Sequence, residues 1–337
     1  MNTKDRLIGL LEEHDGEFLS GNEIAAEAGI TRAGIWKCIK QLEEEGYQIE
    51  AVRNRGYRLG PANDAVSKLP VLKYLEAYQQ KSGETLPFTG DRLEVQKSVT
   101  STNDVLKERA SHLPGWYTVI AGNQTRGKGR RTRSFFSPPE TGVYLSVLIK
   151  LPLPAETATR ITTAAAVAAC RAIEETTQAI PQIKWVNDVF VKGKKVCGIL
   201  TEASISMESG GLEWAIMGIG FNVYEPEGGF PEELAGIAGA ISEVRVRDLR
   251  SRIAAAFLIH FYQLCLDLTG ASVAAEYRKR SFLPGKRINV IKGEQERPAT
   301  AEEIDDECHL VVRYDDGTRE VLSSGEVSIR MDGTKSL

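Results

Sequence analysis

The segment Gly122-Asn123-Gln124-Thr125-Arg126-Gly127-Lys128-Gly129-Arg130-Arg131-Thr132-Arg133 sets five cations and three glycines within twelve residues. It directly follows a strand-like run, Tyr117 to Ala121. Glycine lets backbone N–H groups approach an anion closely, and Arg and Lys neutralise it, so a phosphate-bearing ligand suits this loop. The residue order excludes two common phosphate-binding folds. Gly122 to Lys128 fits the G-x-x-x-x-G-K of a P-loop, but Gly129 stands where Ser or Thr would hold Mg²⁺. The following Arg131-Thr132-Arg133-Ser134-Phe135-Phe136-Ser137-Pro138-Pro139 cannot form the helix whose N-terminus cradles phosphates. The G-x-G-x-x-G of a dinucleotide-binding fold breaks at Thr132, and again no helix follows. A merely solvated basic loop has little use for three glycines.

Around this loop, strands and helices alternate. Strand-like runs lie at Val143 to Ile149, Gln182 to Trp185, Glu213 to Val223, and Val189 to Val191, the last joined through Lys192-Gly193-Lys194 to Val196 to Thr201. Helical patterns lie near 102–111, 156–177 and 248–268. Ala164, Ala165, Ala168, Ala169 and Ala172 let the second of these pack close against a sheet. The middle of the chain is expected to be an α+β core. From Gly285 to Arg330, short β segments (Arg287 to Ile291, His309 to Arg313, Arg319 to Leu322, Val327 to Arg330) separated by turns such as Asp315-Asp316-Gly317 suggest a small barrel. With 337 residues, 42% of them hydrophobic, the chain has the length for two or three domains and the apolar content for their cores.

The first sixty residues read differently. Thr3 can cap a helix carrying Leu7, Ile8, Leu10 and Leu11 on one face, ending before Gly16. Ser20 or Asn22 starts a second, lined by Ile24, Ala25 and Ala28. Gly29 then supplies a tight turn that lets Thr31 cap a third helix bearing Ile35, Ile39 and Leu42. The spacing is that of a helix-turn-helix, and strand-like Tyr47 to Val52 and Gly56 to Leu59 flank a basic turn, Arg53-Asn54-Arg55, in the manner of a wing. Eight basic against eleven acidic residues leave residues 1–60 at net −3, so bulk charge does not draw this region to DNA. Distribution does more: six of the eight bases lie on the third helix or the wing, where a recognition helix and phosphate contacts need them. The candidate DNA contacts are Thr31, Arg32, Lys37, Arg53 and Arg55. A protein–protein adaptor is the competing reading. Gly60-Pro61-Ala62-Asn63-Asp64 is rich in turn formers and is expected to be a linker.

Other chemistry is narrow. Five cysteines, none in a C-x-x-C pair, argue against a disulfide framework and a thiolate zinc site, and four His without ligand spacing leave metallohydrolases unsupported. No stretch reaches the ~18 apolar residues of a membrane helix and no signal peptide is evident, so a cytoplasmic protein without membrane partners is expected. Lys184-Trp185-Val186-Asn187-Asp188 offers a cation for phosphate and oxygens for a metal or ribose. Ser98-Val99-Thr100-Ser101-Thr102-Asn103-Asp104 is a hydroxyl and amide cluster that also reads as an N-cap.

Taken together, Ser101-Thr102-Asn103, Gln124 with Gly127-Lys128-Gly129-Arg130-Arg131 and Arg133, Lys184-Trp185-Val186-Asn187-Asp188, Cys197-Gly198-Ile199-Leu200-Thr201-Glu202, Gly218-Ile219-Gly220-Phe221-Asn222-Val223 and Ser324-Gly325-Glu326-Val327-Ser328 resemble, in order and spacing, the biotin protein ligases. The resemblance extends over nearly the whole chain to the bifunctional bacterial form, which is also the biotin operon repressor. It implies an α+β multidomain protein: a winged helix-turn-helix at 1–62, a mixed-sheet ligase core at 63–283 and an SH3-like β-barrel at 284–337. Three departures stand out: Lys128 where the family usually has Arg, Thr132 where Gly is frequent, and Val186 where Pro is usual, which is expected to loosen the turn after Trp185.

The resemblance further implies that biotin and ATP, with Mg²⁺, give biotinyl-5′-adenylate, and that biotin then passes to a lysine of the carrier domain of acetyl-CoA carboxylase or a similar carboxylase. Ser101, Thr102, Asn103, Gln124, Lys128, Gly129, Arg130 and Lys184 would contact biotin. Arg130, Arg131, Arg133, Asn187 and Trp185 would face the nucleotide, although Trp185 equally suits the core. Lys184 and Arg130 would be the catalytic cations, and Mg²⁺ would lie near Asp188, itself a possible aid to deprotonation of the carrier lysine. A homodimer on a two-fold operator is expected. Two other classes share parts of this pattern: a ligand-sensing regulator that has lost catalysis, and a lipoate-type ligase, which would be expected without the winged helix.

Overall fold

The computed structural model describes residues 3–329 apart from 15, 132, 152–153, 155–157, 207–209, 269, 293–294 and 324. Thr132 and Ser324 therefore lie outside the described residues.

Three short helices open the chain: α1 (Thr3–Glu13), α2 (Gly21–Ala28) and α3 (Arg32–Glu44). Ser20 and Glu23 cap α2 reciprocally, Ser20 Oγ accepting from the Glu23 N–H at 3.2 Å and the Glu23 carboxylate from the Ser20 N–H at 2.7 Å. Gly29, at φ 64°, ends α2 and frees the chain to turn, and Thr31 Oγ1 accepts from the Gly34 N–H at 3.1 Å to start α3. Leu7, Leu11, Ile24, Ile35 and Leu42 are buried together between the three. The antiparallel pair β1 (Ile49–Val52) and β2 (Gly56–Leu59) follows, closed by Arg53-Asn54-Arg55.

Gly60 to Asp64 behaves less like a linker than its composition suggests. Asn63 and Asp64 are 1% and 3% exposed. Asn63 Oδ1 accepts from the Gln48 N–H at 3.0 Å, and the Asp64 carboxylate accepts from the Tyr224 hydroxyl at 2.7 Å and from the Arg250 N–H and Nε at 2.9 and 3.2 Å. Burial pushes the Asp64 carboxyl up, against the pull of Arg250. A carboxylate taken out of water needs such partners, and they hold the winged helix on the core.

The core begins with α4 (Lys68–Ser82), β3 (Leu93–Gln96), α5 (Thr102–Arg109), β4 (Tyr117–Ala121), β5 (Gly142–Ile149) and α6 (Ala158–Thr176). It continues through β6 (Gln182–Lys184), β7 (Asp188–Val191), β8 (Lys194–Ile205), β9 (Leu212–Asn222), α7 (Glu232–Ala235), α8 (Leu249–Cys265) and α9 (Ala271–Arg280). The seven strands form one mixed sheet in the order β3-β4-β5-β9-β8-β7-β6, parallel only between β3 and β4. Val143, Leu145 and Val147 of β5 and Met217, Ile219 and Phe221 of β9 join α6 and α8 in the main core. Alternate residues, Leu148 and Ile216, face the other way into a smaller cluster with Leu106 of α5 and Val119. The sheet thus has a thick helical back and a front that α5 covers only in part.

A five-stranded antiparallel sheet ends the chain, β10 (Arg287–Lys292), β11 (Gln295–Ile304), β12 (Leu310–Tyr314), β13 (Arg319–Leu322) and β14 (Glu326–Ile329), in the order β13-β12-β11-β10-β14. Its Ile288, Ala301 and Val312 are continuous with the main core. The sequence pattern does not announce β3, α4, α9 or β11. Pro70 masks α4, yet it lies in the first turn, where no N–H is needed. A register shift between Ala301 and Glu303 breaks the alternation that would mark β11.

Candidate functional site

On the uncovered front of the sheet lies a cavity of about 420 Å³. Every residue expected to meet biotin or nucleotide, namely Ser101, Thr102, Asn103, Gln124, Lys128, Gly129, Arg130, Arg131, Arg133, Lys184, Trp185 and Asn187, lines it, together with Asp188. The fold brings them from the start of α5, the loop after β4, and the β6–β7 turn.

The floor is a polar chain, buried at its centre. Gln124 Oε1 accepts from the Thr102 N–H at 2.9 Å and lies 3.2 Å from Thr102 Oγ1, while Gln124 Nε2 donates to Ser137 Oγ at 3.0 Å. Ser146 of β5, fully buried, has its hydroxyl 2.7 Å from Thr102 Oγ1 and 2.6 Å from Asn103 Oδ1. Asn103 Nδ2 donates to Glu202 Oε2 at 2.8 Å, and Lys107 Nζ reaches Glu202 Oε1 at 3.1 Å. Burial opposes ionisation of Glu202, but the hydrogen bonds from Asn103 and Lys107 outweigh it and hold the carboxyl below its usual range. Ser101 sits at the N-cap of α5, yet its hydroxyl makes no capping bond, so only the backbone half of the capping expectation applies.

Glycines make room for this floor. A Cβ on Gly218 would lie 2.1 Å from Asn103 Oδ1, and one on Gly220 would lie 2.4 Å from the Phe135 ring. The Gly218-Ile219-Gly220 repeat therefore presents two bare backbone positions on one face of β9, under α5 and the loop.

The roof is the basic loop. It folds back on itself: Gly129 N–H donates to Arg133 O at 2.7 Å, Arg133 N–H to Arg130 O at 3.1 Å and Phe135 N–H to Gly127 O at 2.9 Å. Arg130 Nη1 donates to Asn187 Oδ1 at 3.2 Å, joining roof to the β6–β7 turn. Lys128 pairs with Asp104, which raises the lysine's pKa. Lys184 lies at the end of β6 with Nζ 5.7 Å from the centre of the Phe190 ring.

Some expectations change here. Trp185 is 3% exposed and its indole N–H donates to Cys308 O at 3.0 Å, so its main part is in the core, with an edge on the cavity. The turn at Val186 is not loose: Val186 is buried and its carbonyl accepts from the Tyr277 hydroxyl at 3.0 Å. Asp188 pairs with Lys195 at 2.7 Å. Sequence reasoning missed Ser146, Ser137 and Glu202 as members of the floor, and Phe135, Phe230, Ile237 and Gly325 as walls. Glu202 and Gly325 carried a signal, as members of the Cys197-to-Glu202 and Ser324-to-Ser328 motifs.

On the winged helix, Arg32, Lys37, Arg53 and Arg55 are exposed, with Arg32 bonded to Asn22 Oδ1 at 2.7 Å and Arg55 4.3 Å over the Phe18 ring. Thr31 is the α3 cap. Two other bases are engaged, Lys40 with Glu43 and Arg58 with Glu50, both at 2.7 Å. Trp36, 61% exposed on α3 beside Lys37, had not been singled out from the sequence.

A helix-turn-helix joined to a glycine-bordered, cation-roofed pocket defines a DNA-binding member of the carboxylate-adenylating ligases. The sequence matches the biotin/lipoate A/B protein ligase family over residues 95–222, a helix-turn-helix domain over 3–58 and the biotin protein ligase C-terminal domain over 285–330. It is 30% identical to the bifunctional ligase/repressor BirA of Bacillus subtilis, covering 94% of this chain and 96% of the relative, and 26% identical to that of Escherichia coli over 96% of each. The biotin protein ligase from Aquifex aeolicus in complex with biotin and ATP superposes with a TM-score of 0.60 at 25% identity, covering 71% of this chain and 98% of that one. The chain belongs to the biotin protein ligases, in their bifunctional ligase/repressor form.

Proposed function

We propose that this protein condenses biotin with ATP to biotinyl-5′-adenylate, transfers biotin to a carrier-domain lysine, and binds an operator through α3 and the wing. One observation carries the reading: a directed polar floor and a cationic roof face each other across one cavity. Ser101, Thr102, Asn103 and Gln124 hold the polar head of biotin. Lys184 and Arg130 lie on the carboxylate and α-phosphate side, with Arg131, Arg133 and Asn187 toward the nucleotide. A biotin carboxylate oxygen attacks the α-phosphorus, the bond to the β-phosphate oxygen breaks, and pyrophosphate leaves. Two anions are brought together and charge builds on the leaving group, so fixed cations serve this step better than an acid–base pair. In transfer, the carrier amine attacks the acyl carbon, AMP leaves, and the amine proton goes to water or to Asp188, whose pairing with Lys195 favours water.

Among the described residues no group of three or more His, Cys, Asp or Glu side chains is placed to hold a metal ion. Magnesium carried on ATP phosphates needs only one or two protein oxygens, for which Asp188 is the candidate, and it would supply charge on the phosphates. The boundaries near 62 and 284, a homodimer and a cytoplasmic location complete the proposal; all five cysteines are free and buried, which fits a reducing compartment. Incubation with biotin, ATP and Mg²⁺ should yield adenylate by mass spectrometry, and full-length protein should shift operator DNA where residues 63–337 do not. Absence of adenylate would overturn the enzymatic reading, and an operator shift by the truncated chain would overturn the DNA-binding assignment.

A further inference from the structure

We propose that Glu202 and Ser146 are positioning residues that impose one direction on the hydrogen bonds of the pocket floor, and so decide that it offers an acceptor to the ligand; this rests on the biotin reading above. Neither side chain lines the cavity. Both act through residues that do.

The direction follows from the chemistry of each group. An ionised carboxylate only accepts, so Asn103 must turn its Nδ2 toward Glu202, as it does at 2.8 Å. The carboxamide oxygen is then forced toward β5, where Ser146 Oγ stands 2.6 Å away, and an amide oxygen can only accept. Ser146 therefore gives its one proton to Asn103. Its remaining lone pairs face Thr102 Oγ1 at 2.7 Å, so they can take only the Thr102 proton. The alternative acceptor for that proton, Gln124 Oε1, is farther at 3.2 Å and already receives the Thr102 N–H. Protons thus run from Thr102 to Ser146 to Asn103 to Glu202. Thr102 is left with a lone pair toward the cavity, suited to a ligand N–H such as biotin's ureido group.

The sheet register puts the relay together. Ser146 on β5, Gly218 on β9 and Leu200 on β8 lie side by side, and Glu202 is two residues along β8, hence on the same face. Gly218, having no Cβ, leaves the slot that Asn103 occupies between Ser146 and Glu202. Thr102, Asn103 and Ser146 are buried, so water cannot re-pair the bonds between them, and reversing one scrambles the others.

Glu202→Gln keeps shape but can donate as well as accept, so the Asn103 amide loses its preferred orientation. The variant should raise the KM for biotin at least tenfold, with the KM for ATP and kcat at saturating biotin within about twofold of wild type. Ser146→Ala should do likewise, and the double variant should be no worse than the weaker single by more than about twofold, because one relay is broken once. Lys107→Met removes one of the two groups that keep Glu202 ionised and should raise the biotin KM in the same direction but by less than Glu202→Gln does, again with the KM for ATP and kcat within about twofold. Unchanged biotin KM in both single variants, a fall in kcat with KM intact, or effects that multiply in the double variant would each overturn the relay. Calorimetry with biotin on the wild-type chain separates the two levels. No binding there overturns the biotin reading and this inference with it, whereas tight binding retained by Glu202→Gln overturns the relay alone.

Discussion

The roof and the floor of the cavity achieve recognition by opposite means. The roof, Gly127 to Arg133, closes several of its backbone hydrogen bonds within a few residues, carries most of its cations on exposed side chains, and reaches the rest of the site through side chains such as Lys128, paired with Asp104, and Arg130, bonded to Asn187. The floor is drawn from α5, β5, β8 and the start of the loop, has Thr102, Asn103 and Ser146 buried at its centre, and gives these groups directed partners. Exposed charge is adjustable and long-ranged, whereas buried hydrogen bonds are short-ranged and intolerant of error. Charge above and direction below should therefore govern different quantities: the roof the rate and retention of the intermediate, the floor the choice and grip of biotin.

The sharpest test of that division is Lys184→Met. Lost positive charge on the α-phosphate side should slow single-turnover adenylation by ~100-fold or more, about 3 kcal/mol, while biotin calorimetry stays within roughly tenfold. A collapse of affinity with unchanged rate at saturation would assign Lys184 to binding and blur the two regions. The floor is challenged by Gly218→Ala, whose new Cβ would sit 2.1 Å from Asn103 Oδ1 and must displace it. Biotin affinity should fall by about 10- to 100-fold, or ~1.4 to 3 kcal/mol, with circular dichroism unchanged; native affinity would show that the floor tolerates misdirection.

Retention is a smaller effect. Arg130→Gly removes the bond to Asn187 and frees the backbone, so ordering the roof over the adenylate costs more and the reactive intermediate leaves sooner. Bystander proteins should be biotinylated several-fold more than by wild type at matched turnover; equal labelling would deny Arg130 a closing role.

The smallest effect belongs to neither region. Asp248 lies where α1, the linker and α8 meet, and burial, with Glu12 and Asp64 adding to it against Arg247 and Lys73, pushes its carboxyl up to about 6. Because the folded state binds this proton more tightly than the unfolded chain, stability declines as pH rises from about 4 to 6 and levels off above. Asp248→Asn should stabilise the protein by about 1 to 2 kcal/mol at pH 7.5, after allowance for partial exposure, and the gain should vanish near pH 4. Thermal melts at the two pH values would show it, with adenylation unaltered; a gain that persisted at pH 4 would refute the cause given.

Features written in contiguous residues were legible from the chain alone. The helix ends at Gly29 and Thr31, the start of α2 to within Ser20 or Asn22, the heptad-like burial of α1 and α3, the wing turn and the glycine and cation content of the roof are each decided within a few positions, because capping, periodicity and turn chemistry are local. The motifs at Ser101 to Asn103, Gln124 and Lys184 to Asp188 were visible too, and their shared cavity followed from the resemblance they carry. The floor was not legible. Ser146 sits in a run of apolar strand residues, and nothing in Gly142 to Ile149 distinguishes a hydroxyl that orders a ligand site from one that is merely tolerated. Its meaning comes from register, which sets it beside Gly218 and diagonal to Glu202 across partners 72 and 56 residues away in sequence. The same holds for Asn63 and Asp64, whose turn-forming types suggest freedom until Tyr224 and Arg250 arrive to bury them. Hydrogen-bond direction and desolvation depend on what surrounds a group, and for these residues the surroundings are assembled only when the sheet, α5 and the winged helix pack together.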